Sequence, residues 1–177
     1  KAKLPELIIK EILLCNETFK EAAQLFIDCF KTLSQSDLYD ALTNNNALAE
    51  IIQNAIDKPN AASFQFINQL VNKSLSYGKW STWRSVFTMI ESRLSDIAQV
   101  FHQSERFTSI SESIVNLAIS IFNETKTDTK EISDIFYKLY TDFFKFPGNG
   151  ILHNTFISLL TAFKNHRCLS YEMVSSV

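Results

Sequence analysis

Glycine and proline are scarce in this chain, with three copies of each among 177 residues. A β-sheet fold needs glycines in its hairpin turns, because those turns use backbone angles that strain other residues. The scarcity therefore favours helices joined by polar loops. The length fits one domain with a substantial core. We predict a single helical-repeat domain over residues 1–177, and we interpret the start at Lys1 as that of a fragment of a longer chain.

Apolar residues recur at spacings of three and four along most of the chain, as in amphipathic helices. The clearest run predicts one helix of about five turns from Trp83 to Phe101. The apolar stripes predict about eight helices, over residues 4–12, 22–33, 48–56, 64–75, 83–101, 107–121, 132–143 and 152–163. Six stripe positions are predicted to be buried: Phe87, Ile90, Leu94, Leu117, Leu139 and Phe156.

Some helices carry apolar residues on more than one face, and such helices contact more than one neighbour. We therefore predict an all-α fold in which antiparallel helix pairs form a right-handed superhelix, an armadillo- or HEAT-like α-solenoid segment. A compact irregular helical bundle is the alternative, since no sequence period is visible. Capping-box spacing is present at Thr18 and Glu21, and again at Asp128 and Glu131.

The net charge is −2, and the lysines and arginines are scattered singly. Nucleic acids and anionic membranes require a concentrated positive surface, so we expect neither as a partner. No apolar run reaches the ~18 residues of a membrane helix. The cysteines Cys15, Cys29 and Cys168 are odd in number and widely spaced, which favours reduced, mostly buried thiols. Reduced thiols indicate the cytoplasm, with the nucleus as a second location.

No sequence pattern typical of a catalytic or metal site is visible. None of His102, His153 and His166 has the spacing of a zinc ligand set, and nothing completes the near pair of His166 and Cys168. Cys168 and His153 are interpreted as a buried thiol and a surface or capping imidazole rather than a catalytic pair. We expect no metal, no cofactor, no small-molecule substrate and no enzymatic activity. No deep pocket should join three ionisable side chains by mutual hydrogen bonds.

Two tryptophans lie close together in the sequence and invite two interpretations. Trp80 and Trp83 could together form a binding platform. The favoured interpretation places Trp83 in the core and has Trp80 partly cover a helix start.

Residues 143–154 read Phe-Phe-Lys-Phe-Pro-Gly-Asn-Gly-Ile-Leu-His-Asn. This segment resembles a motif of the SAPS-domain family, the regulatory subunits of protein phosphatase 6-type enzymes. In that family an aromatic-rich FF-K/E-Y-P stretch is followed by a W-N-N turn and by L-H-N at the start of the next helix. The matching positions are Phe143, Phe144, Lys145, Pro147, Asn149, Leu152, His153 and Asn154. Residues 105–122 are similar, more loosely, to the family's helix upstream of this block.

The resemblance has departures. Gly148 stands where the family usually has tryptophan, and Gly150 replaces a polar residue. Residues 102–104 replace a glycine-containing turn, and residues 1–100 match only in style.

The resemblance implies a non-catalytic scaffold that binds a serine/threonine phosphatase catalytic subunit and directs its substrate choice or location. It carries over five positions with structural or partner-binding roles: Pro147, Asn149, Leu152, His153 and Asn154. The alternative is a generic armadillo- or HEAT-type adaptor in trafficking or nuclear transport.

The residues themselves favour structural roles for this motif. We predict a tight turn over residues 147–150, with glycine-specific backbone angles at Gly148 and Gly150. Asn149 should cap the helix that follows. Leu152 should face the core, and His153 should hydrogen-bond a backbone carbonyl at the edge of that face.

Overall fold

The computed structural model of the chain describes residues 3–127 and 129–166. Within those ranges the regular elements are all helical, which confirms the predicted all-α fold class. The α-helices are α1 Leu4–Leu13, α2 Phe19–Cys29, α3 Gln35–Thr43, α4 Ala47–Asp57, α5 Ala61–Ser76, α6 Arg84–Ser92, α7 Leu94–Gln103, α8 Ser109–Thr125, α9 Lys130–Lys145 and α10 Gly150–His166. None of these helices is long and apolar enough to cross a membrane.

The described helices belong to two compact units, α1–α6 before the division between Arg93 and Leu94 and α7–α10 after it. In the first unit, α1 packs against α2, α3 and α4, and α5 packs against α2, α4 and α6. In the second unit, α8 packs against α7, α9 and α10, and α9 also packs against α7 and α10. A single domain over residues 1–177 stays a prediction.

Each unit has an aromatic and aliphatic core built from the predicted stripes. The six positions predicted to be buried are each at most 6% exposed. Phe26 and Phe66 meet edge to face in the first unit, with ring centroids 6.0 Å apart. Phe122 and Phe163 lie 4.7 Å apart in the second unit. The spacing of apolar residues therefore located both cores correctly.

The prediction of one helix from Trp83 to Phe101 is wrong. Its N-terminal part, α6, ends at Ser92, and α7 begins at Leu94. Arg93 between them has φ −102° and ψ 8°, outside the helical region, which interrupts the helix. The apolar spacing continues through the break, so periodicity alone could not detect it. The pattern also missed α3, because its nine residues bury just three side chains, those of Leu38, Ala41 and Leu42.

The predicted capping box at the start of α2 is not formed. Thr18 precedes the helix, but its side chain accepts no hydrogen bond from the first turn. Its hydroxyl lies 2.6 Å from Oε1 of Glu11 instead, and so links α2 to α1. The second predicted box involves Asp128, which lies outside the described residues. Thr129 caps α9, since its Oγ1 accepts a hydrogen bond from a first-turn amide.

The described cysteines are free thiols, Cys29 buried and Cys15 half-buried. Burial raises the pKa of the Cys29 thiol, and the nearby Asp28 carboxylate adds to this effect. Cys29 is therefore held as an unreactive neutral thiol at physiological pH. Cys168 lies outside the described residues.

Candidate functional site

The family-like segment forms the link between α9 and α10. The amide of Asn149 donates to the carbonyl of Phe146 at 3.0 Å, which closes a tight turn. Oδ1 of Asn149 then accepts a hydrogen bond from the amide of Leu152, also at 3.0 Å. This bond satisfies one of the free amides in the first turn of α10, which begins at Gly150. The predicted turn, helix start and cap are confirmed.

Asn149 also connects this turn to a distant part of the chain. Its Nδ2 donates to the backbone carbonyl of Phe107 at 3.3 Å. Phe107 lies two residues before α8, so one half-buried amide side chain holds together the starts of α8 and α10. No spacing rule relates residues 42 positions apart, so this contact could not be predicted from the sequence.

Leu152 and His153 have different roles at the start of α10. Leu152 is fully buried, as predicted, together with Leu159 and Phe163 on the same helix. The ring of His153 lies 4.3 Å from the ring of Phe143 at an interplanar angle of 33°. Its Nε2 is buried and has no hydrogen-bond partner among the described residues. The predicted hydrogen bond to a backbone carbonyl is therefore not made by this atom, and ring packing on α9 positions His153 instead.

Other motif positions face solvent. Phe144 is 64% exposed and Ile151 is 51% exposed. Lys145, Pro147 and Asn154 are exposed as well. The motif thus has an inner face that fixes the turn and an outer face available for contact.

An open groove of about 770 Å³ lies beside the turn, and we call it the Arg106 groove. Its lining residues are Arg106, Phe107, Lys145, Phe146, Pro147, Gly148, Asn149, Gly150 and Ile151. Two of these side chains are cationic, none is acidic, and most of the others are apolar. The groove therefore combines apolar walls with a net positive charge.

The two glycines of the turn do not have the backbone role predicted for them. Neither Gly148 nor Gly150 has a positive φ, and a Cβ atom added to either would meet no atom within 4 Å. Gly78, in the link between α5 and α6, has φ +83°. Of the chain's three glycines, Gly78 alone therefore uses the conformational freedom that glycine provides.

A matched pair of substitutions tests this difference. Gly150→Ala should stabilise the protein by about 0.4–1 kcal/mol, because alanine restricts the unfolded chain and fits the first turn of α10. Gly78→Ala should destabilise it by about 1–2 kcal/mol, because a Cβ atom strains a left-handed backbone. Urea unfolding midpoints measure both effects. A loss of stability in both variants would contradict the difference in backbone angles between Gly150 and Gly78.

A second polar cluster lies in a shallow cleft that includes His102, Asp134, Lys138 and Asp142. Nζ of Lys138 lies 3.4 Å from Oδ2 of Asp142 and donates to the carbonyl of Ser104 at 3.1 Å. These contacts connect α9 to the residue after α7. Burial lowers the pKa of His102, partly offset by the Asp134 carboxylate. Among the described residues, no hydrogen-bonded chain joins His102 to the ion pair.

The tryptophans do not form a platform. Trp83 is 1% exposed and lies in the core of the first unit, as the favoured interpretation predicted. Trp80 is fully exposed, so the prediction that it covers a helix start is wrong.

Residues 3–127 and 129–165 contain no group of three His, Cys, Asp or Glu side chains arranged to hold a metal ion. The pair His166 and Cys168 falls beyond the described side chains. The expected absence of metal, cofactor and enzymatic activity stays a prediction.

Comparison with protein-family models finds none that matches the chain. Comparisons with curated proteins and with solved structures likewise find no match.

Proposed function

We propose that the chain is a non-catalytic regulatory or scaffold subunit that binds a serine/threonine protein phosphatase catalytic subunit and directs its substrate choice or location. The observation that carries the proposal is the resemblance of residues 143–154 to the SAPS-domain motif. The all-helical fold of the described residues is compatible with the helical-repeat scaffold of that family. The right-handed superhelix of antiparallel helix pairs belongs to the same proposal.

The geometry of the motif separates its proposed structural and binding roles. Asn149 and Leu152 hold the turn and the start of α10, so their loss should affect folding first. Phe144 and Asn154 are exposed and are free to contact a partner. Exposed aromatic side chains are frequent anchors of protein interfaces. We therefore assign partner contact to the outer face of the motif.

Substitution of Phe144 tests this assignment. Binding of the purified chain to a phosphatase 6-type catalytic subunit is measured by biolayer interferometry, with melting temperatures recorded for every variant. Phe144→Ser should weaken binding by about tenfold or more, as expected for loss of an aromatic anchor, with little change in melting temperature. Ile157→Ser is the matched control, because Ile157 is 56% exposed on α10 but outside the motif. Equal weakening by both substitutions would argue against the motif as the contact.

The alternative, a generic helical adaptor, is favoured by a separate surface. Four leucines of the first unit are at least half exposed: Leu4, Leu7, Leu14 and Leu25. Two of them, Leu7 and Leu25, line one open cleft between α1 and α2. Clustered exposed apolar side chains often mark protein contacts. Affinity purification with mass spectrometry separates the hypotheses. A phosphatase catalytic subunit lost on Phe144→Ser supports the first, and trafficking or transport proteins lost on Leu7→Ser support the second.

A further inference from the structure

The Arg106 groove has a charge pattern that selects among protein segments. Arg106 and Lys145 are both exposed at its edge. Within the described residues, neither forms an ion pair with a carboxylate. Both cations are therefore available to an incoming anionic group.

The rest of the groove provides an apolar surface between these charges. Phe107 is 8% exposed, Phe146 is half-buried and Ile151 is 51% exposed. Nζ of Lys145 lies 5.1 Å from the centroid of the Phe146 ring, a cation–π distance that keeps the charge against the apolar wall. An apolar side chain of a ligand would thus be buried close to a positive charge.

We propose that the Arg106 groove binds a short extended segment of a partner protein in which an apolar or aromatic residue is flanked by Asp or Glu. The carboxylates would pair with Arg106 and Lys145 while the apolar side chain enters between Phe146 and Ile151. A volume of about 770 Å³ is in the usual range of ligand pockets and accommodates a few side chains. Two cations are far fewer than a nucleic-acid surface requires, which favours a protein ligand.

This inference rests on the proposed function in one respect, because it assigns the segment to the phosphatase catalytic subunit. The groove would be a second contact beside Phe144, and its two positive charges would favour acidic segments of the partner. Exposed charge pairs contribute specificity and association rate, and they weaken with salt. Binding at this groove should therefore decrease as ionic strength rises.

The probe for the groove is a fluorescein-labelled peptide, Glu-Asp-Phe-Leu-Glu-Asp, with Lys-Arg-Phe-Leu-Lys-Arg as its charge-reversed counterpart. Fluorescence anisotropy of each peptide is measured with the full 177-residue chain. The acidic peptide should bind saturably, and the basic peptide should bind at least about tenfold more weakly. Equal binding of both peptides, or binding of the acidic peptide unchanged between low and high salt, would overturn the inference.

A matched pair of double variants places the binding at the groove. Arg106→Glu with Lys145→Glu should weaken binding of the acidic peptide by about tenfold or more. Lys130→Glu with Lys164→Glu makes the same change in net charge at exposed positions of α9 and α10 outside the groove. This control should change the affinity less than about twofold. Equal losses in the two double variants would show a general charge effect and overturn the assignment.

Binding of the phosphatase catalytic subunit, measured with the same proteins, separates this inference from the proposed function. If the wild-type chain binds the phosphatase and the groove variant binds equally well, the groove inference fails while the proposed function stands. If the chain binds the acidic peptide at the groove but no phosphatase, the proposed function fails and the groove remains a peptide site for another partner.

Discussion

Trp83→Ala should lower the free energy of unfolding by about 3–5 kcal/mol, the usual cost of deleting a large buried aromatic side chain. Trp83 is 1% exposed, and its ring lies 5.1 Å from Phe30, 5.7 Å from Tyr77 and 5.8 Å from Tyr39, centroid to centroid. Its backbone carbonyl also accepts a hydrogen bond from the buried hydroxyl of Ser74. The ring therefore fills the space between several helices of the first unit.

Trp80→Ala is the matched control, because Trp80 is fully exposed three positions earlier. Its loss should change stability by less than about 0.5 kcal/mol. Urea unfolding followed by circular dichroism measures both variants. Similar losses in the two variants, or a stable Trp83→Ala protein, would contradict the described core.

Leu152→Ala should cost about 2–5 kcal/mol, because Leu152 is fully buried and alanine would leave a cavity in the core of the second unit. Leu25→Ala removes the same atoms from a leucine that is 50% exposed on α2, and should cost about 1 kcal/mol or less. The free energies of unfolding of both variants are obtained by urea titration.

The Leu152 substitution also separates the two roles of the motif. If Leu152 has a structural role alone, the folded fraction of Leu152→Ala should bind the phosphatase as tightly as the wild-type chain does. A variant that keeps its unfolding midpoint but loses the partner would instead place Leu152 in the binding surface.

The sequence predicted the helices because their signal is local. Apolar spacing along each stripe identified the buried face of α10, and the position of Asn149 predicted its cap. Two errors have physical reasons. The break between α6 and α7 was missed because Arg93 has non-helical backbone angles while the apolar spacing continues through it. Helix α3 was missed because it buries too few side chains to form an apolar stripe.

Less of the candidate site could be predicted from the sequence, because the geometry of the site depends on contacts between distant segments. The groove brings Arg106 and Phe107 to Lys145 and Ile151, which no spacing rule connects. We predicted a hydrogen bond for His153, but its ring instead packs on the ring of Phe143 in α9. The glycine at position 150 of the turn predicted a positive φ, which Gly150 does not adopt.

Calorimetric titration of a purified phosphatase 6-type catalytic subunit with the wild-type chain tests the central claim most directly. The proposed regulatory role predicts saturable one-to-one binding with a Kd of about micromolar or tighter, equivalent to about 8 kcal/mol. The chain should show no phosphatase activity by itself. Absence of binding at tens of micromolar, with circular dichroism showing a folded helical protein, would contradict the proposed function.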